Sequence, residues 1–114
     1  MLRFALIGCG RIAKKHAEIL GEKQLKNASL SAVCDIREER AKYYGEKYGV
    51  PWFSDMHVMM NTIGNQIDVV TVLTESGSHA AHTLELAPYG KHIIVEKPMA
   101  LTLDDADAMI AACD

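Results

Sequence analysis

At 114 residues, with 49% apolar and 24% charged side chains, the chain suits one soluble globular domain built on one core. Its net charge of −3, with Lys14-Lys15 as the one adjacent basic pair, excludes a nucleic-acid surface. No apolar run approaches the roughly 20 residues of a membrane span, and the apolar start at 4–7 is too short for a signal-peptide core, so a cytoplasmic protein is expected.

The elements follow in order. Leu2 to Ile7 is a short apolar run ending at Gly8, the pattern of a buried strand. Ile12, His16, Ile19 and Leu20 recur at helical spacing, with Gly21 as a stop. Leu30 to Cys34 predicts a second strand, closed by Asp35, and Arg37 to Tyr48 a second helix with Ala41, Tyr44 and Tyr48 on one face. Glu38 and Glu39 suit that helix's positive end, and Gly49 and Pro51 end it. Trp52 to Ser54 is a brief third strand, and Asp55 caps a short helix reaching about Ile63. The β-branched run Ile67 to Leu73 predicts a strand, Ser78 to Leu86 a helix stopped by Pro88 and Gly90, and His92 to Val95 another strand. A closing helix runs from 102 or 103 to Cys113, with Leu103, Ala106, Met109, Ile110 and Cys113 on its inner side.

Strands that are continuously apolar are covered on both faces. Alternation with helices then gives an α/β domain, a doubly wound parallel sheet of five or six strands of Rossmann type. Cys9, Cys34 and Cys113 lack metal-ligand spacing and are expected as small buried thiols. Met56, Met59 and Met60 with Val58 form an apolar patch expected to pack in the core, an interface with a second domain being the alternative.

Gly8-Cys9-Gly10-Arg11-Ile12-Ala13 links the first strand to the first helix. The spacing is a G-x-G-x-x-A turn in its proper context. Gly8 permits the tight exit, Gly10 clears the path of a pyrophosphate, and Ala13 lets the helix pack closely. The first amides of the helix and its dipole hold the anion. Asp35 ends the second strand, where an acid bonds the hydroxyls of an adenosine ribose, so NAD is favoured over NADP. Arg37 nearby keeps NADP possible as an acceptor of a 2′-phosphate. A turn without ligand, and Asp35 as a cap for the helix from Arg37, are the structural alternatives.

Thr74 to His79 follow one strand and Glu96-Lys97-Pro98 another, at the carboxyl ends where open α/β sheets bind ligands. Lys97 at such a strand end could bond a substrate hydroxyl and, with a lowered pKa, help to move its proton, or be an ordinary surface lysine. His79 and His82 stand at ligand-like spacing, but no third ligand is evident and no metal is expected.

The chain resembles the N-terminal domain of the glucose-fructose oxidoreductase / inositol dehydrogenase (Gfo/Idh/MocA) family. The resemblance lies in A-L-I-G-C-G-R-I-A at 5–13, V-C-D-I-R at 33–37, D-V-V-T-V-L-T at 68–74, S-G-S-H at 76–79 and V-E-K-P-M-A at 95–100. It implies that Gly8, Gly10, Arg11 and Ile12 line the pyrophosphate and that Asp35, Ile36 and Arg37 surround the ribose. It implies further that Thr74, Ser76 and His79 flank the nicotinamide half, that Glu96 supports that side, and that Lys97 is the catalytic lysine. Glu75 stands where the family often has Pro. Hydride transfer between a sugar-like secondary alcohol and nicotinamide is the activity implied. A C-terminal domain absent here would complete the substrate site and a homo-oligomer. The motifs look nearest to nucleotide-sugar dehydrogenases of surface-polysaccharide synthesis. An inositol- or glucose-type polyol dehydrogenase, an NAD-dependent glycosidase and a non-catalytic cofactor-sensing module stay open.

Overall fold

A computed structural model describes residues 2–10, 13–21, 27–74, 78–95 and 103–113. Five strands form one parallel sheet: β1 (Leu2–Ile7), β2 (Ala28–Cys34), β3 (Trp52–Phe53), β4 (Val69–Val72) and β5 (His92–Val95). Among the described residues, five α-helices accompany them: α1 (Ala13–Gly21), α2 (Glu38–Tyr48), α3 (Met56–Ile63), α4 (His79–Leu86) and α5 (Leu103–Cys113). The strand order is β3-β2-β1-β4-β5. The chain winds outward from β1 to β3, then crosses to β4 and winds the other way, so β1 and β4 flank the switch point at which such sheets bind ligands.

Alternation along β1 explains the two layers. Leu6 packs with Ala13, Ala17 and Leu20 of α1 and with Ala41 and Tyr44 of α2. Ala5 and Ile7 point the other way, into Met59 and Met60 of α3 and Leu86 of α4. Successive strand side chains leave opposite faces, and each fully buried Leu or Met contributes roughly 1.5–3 kcal/mol. The doubly wound expectation therefore holds for the central strands.

Four details differ from the sequence reading. The buried side of α1 is Ala13, Ala17 and Leu20, while His16 and Ile19 are half-buried, because the alanines let the helix lie close to the sheet. α5 buries Met109, yet Ile110 is 54% exposed and Cys113 is exposed. Among the described residues, α5 packs against α4, and Met109 is its buried residue. At β5, Ile94 is 46% exposed, since this strand lies at the edge of the described sheet. Finally, Met59 and Met60 enter the core as expected, but Val58 turns outward.

Candidate functional site at the β1–α1 turn and the β4 exit

The site is set by how closely β1 and β4 approach at their carboxyl ends. Gly8 has φ +101°, a conformation that side chains disfavour. A Cβ placed there would stand 2.8 Å from the carbonyl carbon of Leu73 and 2.9 Å from the amide nitrogen of Thr74. The Gly8 amide donates to the Cys34 carbonyl at 2.7 Å, and the Leu73 amide to the Ile7 carbonyl at 2.7 Å. Backbone thus meets backbone, and only glycine fits.

Gly10 differs. Among the described residues, a Cβ there would find only the Arg40 guanidinium, at an ordinary 3.6 Å. Nothing in the packing of these described residues demands glycine, so its missing side chain leaves space above the turn. The first turn of α1 carries no acidic residue, and the Ala13 amide donates to the Gly10 carbonyl at 3.2 Å. A first turn without an acid, beside a cleared backbone, suits a pyrophosphate group. The cleft over Gly10, about 380 Å³, is lined by Cys9, Lys14, Glu39, Arg40 and Tyr43 among others.

Asp35 joins the two turns. Its Oδ2 accepts from the Cys9 amide at 2.8 Å and its Oδ1 from the Arg37 amide at 2.8 Å. The cap reading and the ribose reading are compatible, because a carboxylate has about four acceptor positions and these bonds use two. Ile36 is 89% exposed beside it, and Arg37 is exposed at the start of α2. Cys9 and Cys34 are buried next to this carboxylate. Burial first, and then the Asp35 charge, push both thiols up to about 12, so neither is a thiolate at neutral pH. Cys113, expected to be buried, is exposed in the last turn of α5.

At the β4 exit, Thr74 is held twice from α4. Nε2 of buried His79 donates to the Thr74 carbonyl at 2.6 Å, and Nδ1 of His82 bonds the Thr74 hydroxyl at 2.8 Å. The carbonyl can only accept, which puts a proton on Nε2 of His79. The ligand-like spacing of the two histidines thus serves one threonine. Among the described residues, no cluster of three or more His, Cys, Asp or Glu could hold a metal ion.

Gly8 lies against the Thr74 amide, and Asp35 bonds the Cys9 amide between Gly8 and Gly10, which puts these four residues at the switch point. Arg11, Ile12, Ser76, Glu96 and Lys97 lie outside the described residues. Sequence reasoning missed Lys14 and Arg40 as walls of the Gly10 cleft. Arg40, three residues after Arg37 on a helix, was the available signal. It also missed the pairing of His82 with Thr74.

A family model described as an oxidoreductase family with an NAD-binding Rossmann fold, GFO_IDH_MocA, matches residues 2–114. The chain belongs to that family. It is 36% identical over 110 residues to a myo-inositol 2-dehydrogenase of Thermotoga maritima, covering 96% of this chain and 32% of the relative. It is 36% identical over 115 residues to a D-glucoside 3-dehydrogenase of Escherichia coli, covering 99% of this chain and 31% of the relative. The structure of the WlbA dehydrogenase from Bordetella pertussis, in complex with NADH and UDP-GlcNAcA, superposes with a TM-score of 0.90 at 34% identity, over 99% of this chain and 33% of that one. The chain thus spans about a third of the length of the relatives it matches. No helix among the described residues is long and apolar enough to cross a membrane.

Proposed function

We propose that this domain holds NAD for an enzyme that moves a hydride between the nicotinamide and a secondary alcohol carbon of a sugar-like substrate. The observation that carries the reading is the Asp35 carboxylate bonded to the Cys9 amide, beside a Gly10 with open space where a side chain would stand. Gly8, Gly10, Arg11 and Ile12 cradle the pyrophosphate, and Asp35, with Ile36 and Arg37, receives the adenosine ribose. Thr74, Ser76, His79 and Glu96 border the nicotinamide side. Bound there, the cofactor supplies the hydride acceptor or donor. Lys97, two residues beyond β5, orients the substrate hydroxyl and takes or returns its proton.

The remainder of the substrate site belongs to a second domain of a cytoplasmic homo-oligomer, a reading supported by relatives about three times as long. A nucleotide-linked sugar oxidised at its 3-position is the favoured substrate, on the likeness to WlbA, whose structure holds UDP-GlcNAcA.

Calorimetric titration of this chain with both cofactors tests the cofactor reading. NAD should bind at least about tenfold more tightly than NADP, since Asp35 repels a 2′-phosphate. Equal or tighter NADP binding would reverse the assignment and turn attention to Arg37 and Arg40. In the complete enzyme, Lys97→Met should abolish turnover and leave NAD binding intact. Retained activity would make Lys97 structural. Screening that enzyme against nucleotide sugars and free polyols separates the substrate classes, and activity on polyols alone would reject the nucleotide sugar.

A further inference from the structure

The peptide joining Leu73 to Thr74 is the wall against which the glycine turn rests, as the 2.8–2.9 Å approaches at Gly8 require. The position of that peptide therefore sets the path of the turn that would cradle the pyrophosphate. His79 holds the next carbonyl along the chain, that of Thr74, at 2.6 Å. The Thr74 side chain is fixed separately, by Nδ1 of His82 at 2.8 Å, from one turn further along α4. We propose that His82 is a positioning residue for cofactor binding, acting through the Thr74 hydroxyl to hold the β4 exit against the glycine turn. This rests on the dinucleotide reading above.

The hydroxyl is engaged from the helix side, which makes it a tie to α4. Burial holds the His82 imidazole below its ordinary pKa, against the opposing pull of Glu85, so the ring is neutral at neutral pH and able to accept from, or donate to, the hydroxyl. Thr74 and His82 are both half-buried, a setting in which such a bond is not simply exchanged for water.

The test is a double-mutant cycle on this chain, read as the NAD dissociation constant by titration calorimetry, with circular dichroism confirming that each variant is folded. His82→Leu keeps bulk without the bond and should weaken NAD binding about three- to tenfold. Thr74→Val should do the same, and the double variant should be no worse than either alone. His82→Asn places an amide near the Nδ1 position and should restore binding to within about twofold. Thr74→Ser keeps the hydroxyl and should bind NAD more tightly than Thr74→Val. The Thr74→Val and Thr74→Ser pair decides the matter if His82→Leu does not fold. Wild-type affinity in folded His82→Leu, multiplicative effects in the double variant, failure of His82→Asn to rescue, or equal binding by Thr74→Val and Thr74→Ser would each overturn the proposal while leaving NAD binding intact. A wild-type chain that binds no NAD at all would instead overturn the dinucleotide reading, and this one with it.

Discussion

α1 and α3 begin in opposite ways. At α3, Asp55 caps the helix, accepting from the His57 amide at 2.7 Å and the Val58 amide at 3.2 Å. The helix satisfies itself and its positive end meets a negative charge. At α1 the first turn carries no acid, and the chain enters it through Gly10, where a side chain would fit but none is present. α2 lies between these extremes, with Glu38 and Glu39 in its first turn and Asp35 bonding the Arg37 amide just before it. Among the described residues, α3 meets its positive end with a capping carboxylate, while the first turn of α1 at the switch point carries no acid that would compete with a bound anion.

The two glycines of the open turn break that comparison in different directions. Gly8→Ala should destabilise the chain by about 3 kcal/mol, combining a positive φ with contact against the β4 backbone, and should abolish NAD binding. Urea unfolding alongside NAD titration checks it, and a variant of normal stability would show that the turn readily moves. Gly10→Ala should leave stability within about 0.5 kcal/mol of wild type, because among the described residues the added methyl meets only Arg40 at an ordinary distance. Its NAD affinity should fall by about tenfold or more, because the pyrophosphate must approach that backbone. Undiminished affinity in Gly10→Ala would remove the cradle from the α1 turn.

The closed helix start supplies the control. Asp55→Ala should lower stability by about 1 kcal/mol, the usual effect of losing an N-cap, with NAD binding unchanged. A fall in NAD affinity as large as that of Gly10→Ala would mean that the two helix starts are not functionally distinct.

Much of this was legible in the sequence because periodicity reports burial directly. The β-branched run ending at Leu73 and the glycine turn after Ile7 became adjacent strands at the switch point, and the Asp55 cap appears where its spacing placed it. Surfaces that depend on a neighbour were not legible. Ile110 and Cys113 follow helical spacing, yet they are exposed, because α5 packs against α4, a pairing that periodicity does not encode. The same holds at the site. Asp35 was readable from its place at a strand end, but the tie between His82 and Thr74 depends on how α4 folds back over β4, which spacing along one helix cannot reveal.

The smallest effect belongs to the other end of the same strands. There Arg3 of β1 meets Asp68, just before β4. The Arg3 backbone amide donates to the carboxylate at 2.8 Å and the guanidinium Nε at 3.1 Å. The Arg3 side-chain hydrogen bond, then its backbone amide, hold the Asp68 carboxyl down to about 2. A carboxylate depressed in the folded state stabilises it above the ordinary Asp value of about 3.9, and that contribution disappears as pH falls through about 2. Asp68→Asn should therefore be slightly less stable than wild type near pH 7, and the gap should shrink as pH drops from about 4 towards 2. This pair is solvent-accessible, so the gap should also narrow in high salt. Thermal unfolding across that pH range reads it directly, and a gap that stays constant with pH would show that the carboxylate charge plays no part. NAD affinity at neutral pH should be unchanged in Asp68→Asn, because the clamp lies at the amino end of strands whose carboxyl ends carry the site. Equal loss of NAD affinity in Asp68→Asn and Gly10→Ala would mean that β1 and β4 transmit their registry along their whole length, and that the site is not confined to one end of the sheet.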